Sequence, residues 1–248
     1  RNTLPGVLHN CRGNHAQALT YATALALWQR RMLGLADAVI VPSQFARRRL
    51  QDLGVALPDG RVHVLPPPLR QFAEGSRVAS GGYALVVSRL APEKGVDVAI
   101  AACQRAGMPL LIAGDGPELE SLQALARGSD VRFLGPVGDE LLGELRAGAS
   151  IALVPSRSGE TFGLAAAEAM AAGLPVAASQ VGALPELVDP EGLVPAGDPD
   201  ALADAIERLR GDRRAGEQAL GRVREQCSPE VLARRLAAVY GERSATNR

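Results

Sequence analysis

From residue 83 onward, short apolar runs alternate with longer segments in which apolar residues recur every three or four positions. The runs have the length of strands, and the longer segments have the length of helices. The alternation predicts strands at 83–88, 109–113, 131–134, 151–155, 175–179 and 192–194, and helices at 96–106, 118–127, 139–148, 162–172, 184–188, 199–210, 213–227 and 229–240. Alternating strands and helices form a parallel sheet with helices on both faces, so we expect an α/β, Rossmann-like domain.

The pattern before residue 83 is less regular. It predicts helices at 15–33 and 44–53, strands at 37–42 and 61–65, and a linker at the three prolines 66–68. We interpret residues 1–73 as an incomplete N-terminal α/β remnant with its linker, 74–227 as the main domain, and 228–248 as a C-terminal helix with a loose tail from residue 242. The apolar stretch at 16–28 is too short to cross a bilayer, so we expect it to be a buried helix.

The segment at 150–173 carries the first candidate chemistry. Glu160 precedes the predicted helix at 162–172 and Glu168 lies within it, with seven residues between the two acids. The first amides of a helix are free to donate hydrogen bonds and carry partial positive charge, so this helix start suits a phosphate group. A simple N-terminal charge and a solvated glutamate would explain the same two acids without a ligand.

Cations and glycines follow the earlier predicted strands. They are Arg89 and Lys94 after the first strand, Gly114 and Gly116 after the second, and Gly135 and Val137 after the third. Two cations five residues apart can bind one diphosphate. Because the carboxyl ends of parallel strands meet at one edge of a sheet, we expect these residues at one crevice with Glu160 and Glu168. Each residue taken alone is equally compatible with a surface charge or a tight turn.

Composition narrows the classes of function. The 27 basic residues balance the 27 acidic ones, so nothing predicts a nucleic-acid partner. The three cysteines form no CxxC pair, and we expect no metal cluster and a reduced setting, cytoplasmic or peripheral to the inner face of the membrane. The Asp198-Pro199-Asp200 segment resembles a metal-binding pattern, but we interpret it as a helix start capped by Asp198. His9 has no carboxylate nearby in the sequence and is assigned no catalytic role.

Several of these motifs occur together in one order along the chain. They are Ser88-Arg89-Leu90 through Glu93-Lys94-Gly95, Gly114-Asp115-Gly116-Pro117, Phe133-Leu134-Gly135, Glu160-Thr161-Phe162-Gly163-Leu164 through Glu168-Ala169-Met170, and Gly182 with Pro185-Glu186. Over residues 80–210 the chain resembles the C-terminal, donor-binding half of the retaining glycosyltransferases of family GT4, which have the GT-B fold. The two acids match the E-x7-E motif of that family.

The resemblance implies transfer of a sugar from a nucleotide-diphosphate sugar, without metal or other cofactor and with retention of configuration. The acceptor would be an unknown sugar, lipid or small molecule. Arg89 and Lys94 would bind the diphosphate, Glu160 would face the sugar, and Glu168 would bond the ribose hydroxyls. The resemblance thus implies catalytic roles for Glu160, Arg89 and Lys94, and donor-binding roles for Gly114, Gly116, Gly135, Val137, Phe162, Gly163, Leu164 and Glu168.

Two other functions stay open at the level of sequence. One is a non-catalytic sugar-nucleotide binding module, and the other is a sugar-nucleotide epimerase of the same architecture, although the additional acids and histidines of that chemistry are not found. A P-loop kinase is excluded because the chain has no GxxxxGK[ST] motif. The chain begins at Arg1 without methionine, so we expect a fragment or a processed product. Residues 35–68 resemble only the end of the family's N-terminal, acceptor-side domain and its linker, so we expect little or no transfer by the chain alone, and self-association through residues 1–68.

Overall fold

The computed structural model describes residues 14–78 and 82–246, and these form two compact units. The first unit combines the described residues up to 65 with those from 235 onward, and the second unit extends from residue 66 to residue 234. His9 and Cys11 lie outside the described residues. No helix within the described ranges is long and apolar enough to cross a membrane.

The first unit is a small α/β arrangement. Its elements are α1 (His15–Leu35), β1 (Val39–Val41), α2 (Gln44–Asp52), β2 (Val62–Val64) and the C-terminal part of α10 (Pro229–Thr246). The two strands pair in parallel, with Val39 opposite Val62. Helix α2 begins after Ser43, whose hydroxyl accepts a hydrogen bond from the Ala46 amide at 2.9 Å. A Ser in this position satisfies one of the amides that a helix start leaves without a partner.

Helix α1 is not the buried helix that the sequence predicts. Ala18 and Ala22 are buried, but Leu19, Tyr21 and Trp28 are 60%, 48% and 63% exposed. The expectation was wrong because the described part of the unit offers a sheet of two strands, which is too small to cover a helix of 21 residues. Several apolar side chains of this stretch therefore lie on the surface of the unit.

The second unit contains the predicted parallel sheet. Its strands are β3 (Tyr83–Val87), β4 (Leu110–Ala113), β5 (Val131–Gly135), β6 (Ala149–Val154), β7 (Val176–Ser179) and β8 (Leu193–Val194). Its helices are α3 (Val96–Arg105), α4 (Leu119–Leu125), α5 (Asp139–Gly148), α6 (Leu164–Ala171), α7 (Leu184–Leu187), α8 (Pro199–Leu209), α9 (Arg213–Cys227) and the start of α10. The strands lie in the order β5-β4-β3-β6-β7-β8, and every neighbouring pair is parallel.

Two hydrophobic cores lie on the two faces of this sheet. One packs helices α3, α4 and α8 around residues such as Ile100 and Leu202, and the other packs α5, α6 and α9 around residues such as Met170 and Val223. All six residues of β6 are buried, which is typical of a strand inside a parallel sheet covered on both sides. The predicted Rossmann-like architecture with helices on both faces is confirmed.

The unit boundaries differ from the domain boundaries drawn from sequence. Residues 66–73, assigned from sequence to the N-terminal remnant and its linker, belong to the second unit. Leu69 is buried in its core and donates its amide to the carbonyl of Cys227 at 2.9 Å, while the Ala73 amide donates to Ala171 at 2.8 Å. The prolines end the preceding strand but do not prevent the next residues from packing.

The segment taken as residues 228–248 is divided between the units after residue 234. Helix α10 ends at Thr246, later than the end at residue 240 that the sequence predicts, while the looseness of the tail from residue 242 stays a prediction. Helix α6 also begins later than predicted, at Leu164 rather than 162. The reason is local: Gly163 has a φ of +94°, a left-handed conformation that no helical residue adopts.

Candidate functional site

The order of the strands creates a switch point between β3 and β6. The chain passes from β3 outward to β4 and β5, then returns to place β6 on the other side of β3. The loops that follow these two central strands, at 88–95 and 155–163, therefore leave the sheet side by side. Open parallel sheets bind ligands in the crevice that such a reversal leaves beyond the carboxyl ends of the strands.

Three polar side chains from these two loops meet at the switch point. The Lys94 ammonium lies 2.7 Å from Glu160 Oε1, and the Ser156 hydroxyl donates to the same oxygen at 2.8 Å. Ser156 is buried, and the side chains of Lys94 and Glu160 are 29% and 21% exposed. The structure thus brings together the predicted cation of one loop and the predicted acid of the other. We call Lys94, Ser156 and Glu160 the switch-point cluster.

A second link between the two loops was not predicted. Arg157 donates its backbone amide to the Glu93 carbonyl at 2.9 Å, and its guanidinium donates to the Asp97 carboxylate at 2.7 Å. The hydrogen bond to Asp97 raises the pKa of Arg157, and the negative charges of Asp97 and Glu118 act in the same direction against the effect of burial. The pairing fixes the loop that carries Glu160 to the start of α3. The one hint of this link in the sequence is that Arg157 lies three positions before the predicted acid Glu160.

Arg89 lies on the same loop as Lys94 but is more exposed. Its guanidinium pairs with Glu93 at 3.1 Å, and the two side chains are 65% and 42% exposed. Such an exposed pair contributes little to stability, and water or an anion readily replaces it. Arg89 is therefore available to a ligand, while its convergence with Lys94 on one diphosphate stays a prediction.

The predicted glycines shape the crevice by allowing close backbone contacts. Gly114 has a φ of +137°, and a Cβ there would lie 1.9 Å from the Ser88 carbonyl oxygen. A Cβ on Gly116 would lie 2.3 Å from the Leu90 carbonyl oxygen. The loop after β4 thus packs directly on the loop that carries Arg89, and the Leu90 amide donates to the Asp115 carbonyl at 2.8 Å. These contacts explain the glycines structurally, and their donor-binding role stays a prediction.

The loop after β5 continues this layer. The Gly135 carbonyl accepts the Gly114 amide at 2.8 Å, and Val137 is half-buried against the second hydrophobic core. Three consecutive loops are therefore joined in the order of their strands, from β3 through β4 to β5. The donor-binding role of Gly135 and Val137 is a prediction that these bonds do not test.

The start of α6 lies on the other side of the switch point. Phe162 is buried and Leu164 is 51% exposed, with Gly163 between them. The loop after β7 supports this turn, because the Ala183 amide donates to the Glu160 carbonyl at 2.8 Å. The backbone of Glu160 is thus held by the loop after β7, and its side chain by the loop after β3.

Glu168 lies in the second turn of α6 and has a partner that sequence reasoning missed. Its Oε2 accepts a hydrogen bond from the guanidinium of Arg146, which belongs to α5. The Arg146 side chain is 15% exposed and that of Glu168 is 41% exposed. A single arginine in an amphipathic helix gives no sequence signal of such a contact, because the two residues meet only when α5 and α6 pack on the same face of the sheet.

The described residues contain no group of three or more metal-binding side chains. The Asp198 carboxylate accepts hydrogen bonds from the amides of Asp200 and Ala201 at 3.0 Å, so its interpretation as a helix cap is confirmed. Cys103 and Cys227 are both buried. Burial raises the pKa of the Cys103 thiol to about 12. We therefore assign Cys103 to the core and not to the site.

Comparison with known proteins identifies the class that this fold and site define. The sequence profile of the family described as glycosyl transferases group 1 matches residues 81–212, which is more than half of the chain. The chain therefore belongs to that family. The matched range begins before β3 and ends after α8, so it contains the switch-point cluster and Glu168. The family membership favours the transferase interpretation over the epimerase alternative.

Two curated relatives illustrate the extent of the similarity. The chain is 35% identical over 201 residues to an exopolysaccharide phosphotransferase of Streptomyces coelicolor, a match that covers 74% of the chain and 21% of the relative. It is 36% identical over 219 residues to a D-inositol 3-phosphate glycosyltransferase of Acidothermus cellulolyticus, which covers 73% of the chain and 48% of the relative. The chain thus spans about half or less of the length of these relatives.

Solved structures with the GT-B fold superimpose on most of the chain. A sucrose-phosphate synthase from Thermosynechococcus elongatus has a TM-score of 0.72 and 30% identity, and the match covers 89% of this chain and 61% of that one. The HepE protein of Anabaena, solved in complex with UDP and glucose, also has a TM-score of 0.72, with 20% identity and coverage of 89% and 67%. The expected GT-B architecture is confirmed.

Proposed function

We propose that this chain is the donor-binding part of a glycosyltransferase that uses a nucleotide-diphosphate sugar. The observation that carries the proposal is the switch-point cluster, in which Lys94 and Glu160 from two different loops lie 2.7 Å apart beyond the carboxyl ends of β3 and β6. A fixed cation beside an acid suits a ligand that has phosphates next to sugar hydroxyls. The UDP and glucose in the HepE structure are a ligand of that kind in a neighbour of the same fold.

Each predicted side chain has a role in this proposal. Lys94 and Arg89 bind the diphosphate, and Glu160 accepts hydrogen bonds from the sugar. Glu168 accepts hydrogen bonds from the ribose hydroxyls. The remaining donor contacts come from the amides of Phe162, Gly163 and Leu164 and from the loops that carry Gly114, Gly116, Gly135 and Val137.

The same arrangement suggests how transfer proceeds without a metal ion. The bond between the anomeric carbon and the diphosphate oxygen breaks, and its electron pair stays with the diphosphate. A hydroxyl oxygen of the acceptor then bonds to the anomeric carbon from the face that the diphosphate leaves, so the configuration is retained, and the hydroxyl proton passes to the departing diphosphate oxygen. Lys94, Arg89 and the first amides of α6 stabilise the negative charge that grows on the leaving group. The side chains of the cluster are largely removed from water, which strengthens this stabilisation.

Calorimetric titration of the chain with UDP, GDP and ADP tests the donor site. We expect one nucleoside diphosphate to bind, and Arg89→Ala to weaken its binding about ten- to a hundredfold, since a charge-assisted hydrogen bond is worth about 1.5–3 kcal/mol. Arg105→Ala is the matched control, because Arg105 is also half-exposed and also pairs with one acid, Asp200. It lies at the far end of α3 from the switch point. Equal losses in both variants, or no binding of any nucleotide at millimolar concentration, would refute the proposal.

A second candidate function applies to the chain by itself. The described residues place all the proposed donor-binding side chains in the second unit, and the chain spans 48% of the length of its inositol-phosphate glycosyltransferase relative. We infer that the chain by itself binds donor and transfers sugar slowly or not at all. Release of UDP or GDP from the corresponding sugar nucleotide, measured with and without simple sugar acceptors, tests this inference. Turnover faster than about 1 per second, an ordinary enzyme rate, would contradict it.

A further inference from the structure

We propose that Arg146 is a positioning residue that holds the Glu168 carboxylate ready for the ribose of the donor. The inference rests on the donor-binding function proposed above and adds a residue that neither the motifs nor the family match assigns. It begins from one contact: the guanidinium of Arg146 on α5 donates to Oε2 of Glu168 on α6.

The environment of Arg146 is unusual for an arginine at the surface of a helix. Its side chain is 15% exposed, and its Nε is buried without a hydrogen-bond partner. Burial of a guanidinium is unfavourable unless a negative charge accompanies it. Glu168 supplies that charge. Because the buried Nε of Arg146 still lacks a hydrogen-bond partner, the ion pair contributes less to folding stability than a fully hydrogen-bonded pair would.

The two partners are also unequal in a way that suits a binding site. Arg146 is largely buried and therefore fixed, whereas Glu168 is 41% exposed. The arginine donates to Oε2 of the carboxylate, which leaves Oε1 as the oxygen that can accept hydrogen bonds from a ligand. A carboxylate held in this way loses less freedom on binding than a solvated glutamate does.

The ligand group that matches this arrangement is a vicinal diol. A carboxylate oxygen accepts hydrogen bonds and donates none, and the two ribose hydroxyls supply donors side by side. The diphosphate, in contrast, has no donor for Glu168 and would be repelled by it. Arg146 therefore acts on the part of the affinity that depends on the ribose hydroxyls and not on the part that depends on the diphosphate.

The experiment compares the nucleoside diphosphate that binds best among UDP, GDP and ADP with its 2′,3′-dideoxy analogue. For the wild-type chain we expect the analogue to bind about tenfold more weakly. In Arg146→Met this penalty should fall to about threefold or less, because the loosened carboxylate gains little from the diol. In Arg146→Lys it should fall only part of the way, since an ammonium keeps the charge but not the forked geometry.

The control is Arg222→Met, which removes another arginine–carboxylate pair of the same unit, between Arg222 on α9 and Asp189. Both methionine variants should lower the melting temperature, but only Arg146→Met should change the ratio of the two dissociation constants. If Arg146→Met does not fold, Arg146→Lys supplies the same ratio. An unchanged ratio in the folded Arg146 variants overturns the positioning role while nucleotide binding by the wild-type chain upholds the donor site. Failure of all three diphosphates to bind the wild-type chain overturns both proposals.

Discussion

Substitution of Gly95 by alanine should damage both the stability of the second unit and its site. Gly95 follows Lys94 directly, has a φ of +62°, and packs against the loop after β6, where a Cβ would lie 2.2 Å from the Pro155 carbonyl oxygen. The left-handed backbone costs a non-glycine residue about 1–2 kcal/mol. A carbon–oxygen distance about 1 Å inside van der Waals contact adds a further steric term, because neither backbone yields without moving its loop. We expect a total loss of about 3–5 kcal/mol in the free energy of unfolding.

Gly107→Ala separates the two contributions. Gly107 has nearly the same φ, +58°, in the same unit, but a Cβ there meets nothing within 4 Å. Its substitution should therefore show the backbone term alone, about 1–2 kcal/mol. Urea unfolding of both variants and the wild type measures the difference, and thermal melts should show about 2–4 °C for each kcal/mol. Equal losses in the two variants would show that the contact with Pro155 does not hold the loops together. Titration of Gly95→Ala with nucleotide, at a temperature where it is folded, should also show weaker binding because Lys94 moves with its neighbour.

Three further predictions follow from other parts of the structure. A double-mutant cycle with Lys94→Met and Glu160→Gln should give a coupling of about 1 kcal/mol in stability, and additive losses would mean that their 2.7 Å contact contributes nothing. Burial raises the Cys103 pKa from 9.0 to about 12, so stability present below pH 9 should be lost as the pH rises towards 12. The expected slope is about 1 kcal/mol per pH unit, and it should be reduced in Cys103→Ala unfolding curves to the dependence that the raised pKa of Tyr83 contributes. Self-association through residues 1–68 should appear as a concentration-dependent sedimentation coefficient that Trp28→Ser reduces, since Trp28 is 63% exposed, and a monomer at all concentrations would contradict it.

The ion pairs around the crevice have a common consequence for ligand binding. Arg89 pairs with Glu93, Lys94 with Glu160, and Glu168 with Arg146. Each proposed ligand-binding charge therefore has a protein partner of opposite sign. Such pairing keeps the side chains close to one geometry but also requires an anionic ligand to compete with Glu93 and Glu160 for the two cations. The competition favours a ligand that replaces both acids at once, and a diphosphate next to a polyhydroxyl sugar does so.

The sequence anticipated the second unit well because its signals are local. Runs such as 151–155 and 175–179 are too apolar and too short for anything but buried strands, and the glycines and caps between them mark the ends of helices. Ser43 and Asp198 cap helices as expected, since a cap depends only on a residue and the amides two or three positions later. Parallel pairing then placed the predicted residues of four loops at one edge of the sheet.

What the sequence determined was the type and order of the elements, and hence the edge of the sheet at which the polar residues collect. Only the tertiary structure decided which of those residues touch. The pairing of Lys94 with Glu160 depends on β6 returning to the side of β3, and the pairing of Glu168 with Arg146 depends on α5 and α6 sharing one face. Lys94 and Glu160 are separated by 66 positions in the sequence, and Arg146 and Glu168 by 22. Contacts over such separations leave no periodic pattern along the chain. They arise from the packing of whole elements, which no local pattern of residues records.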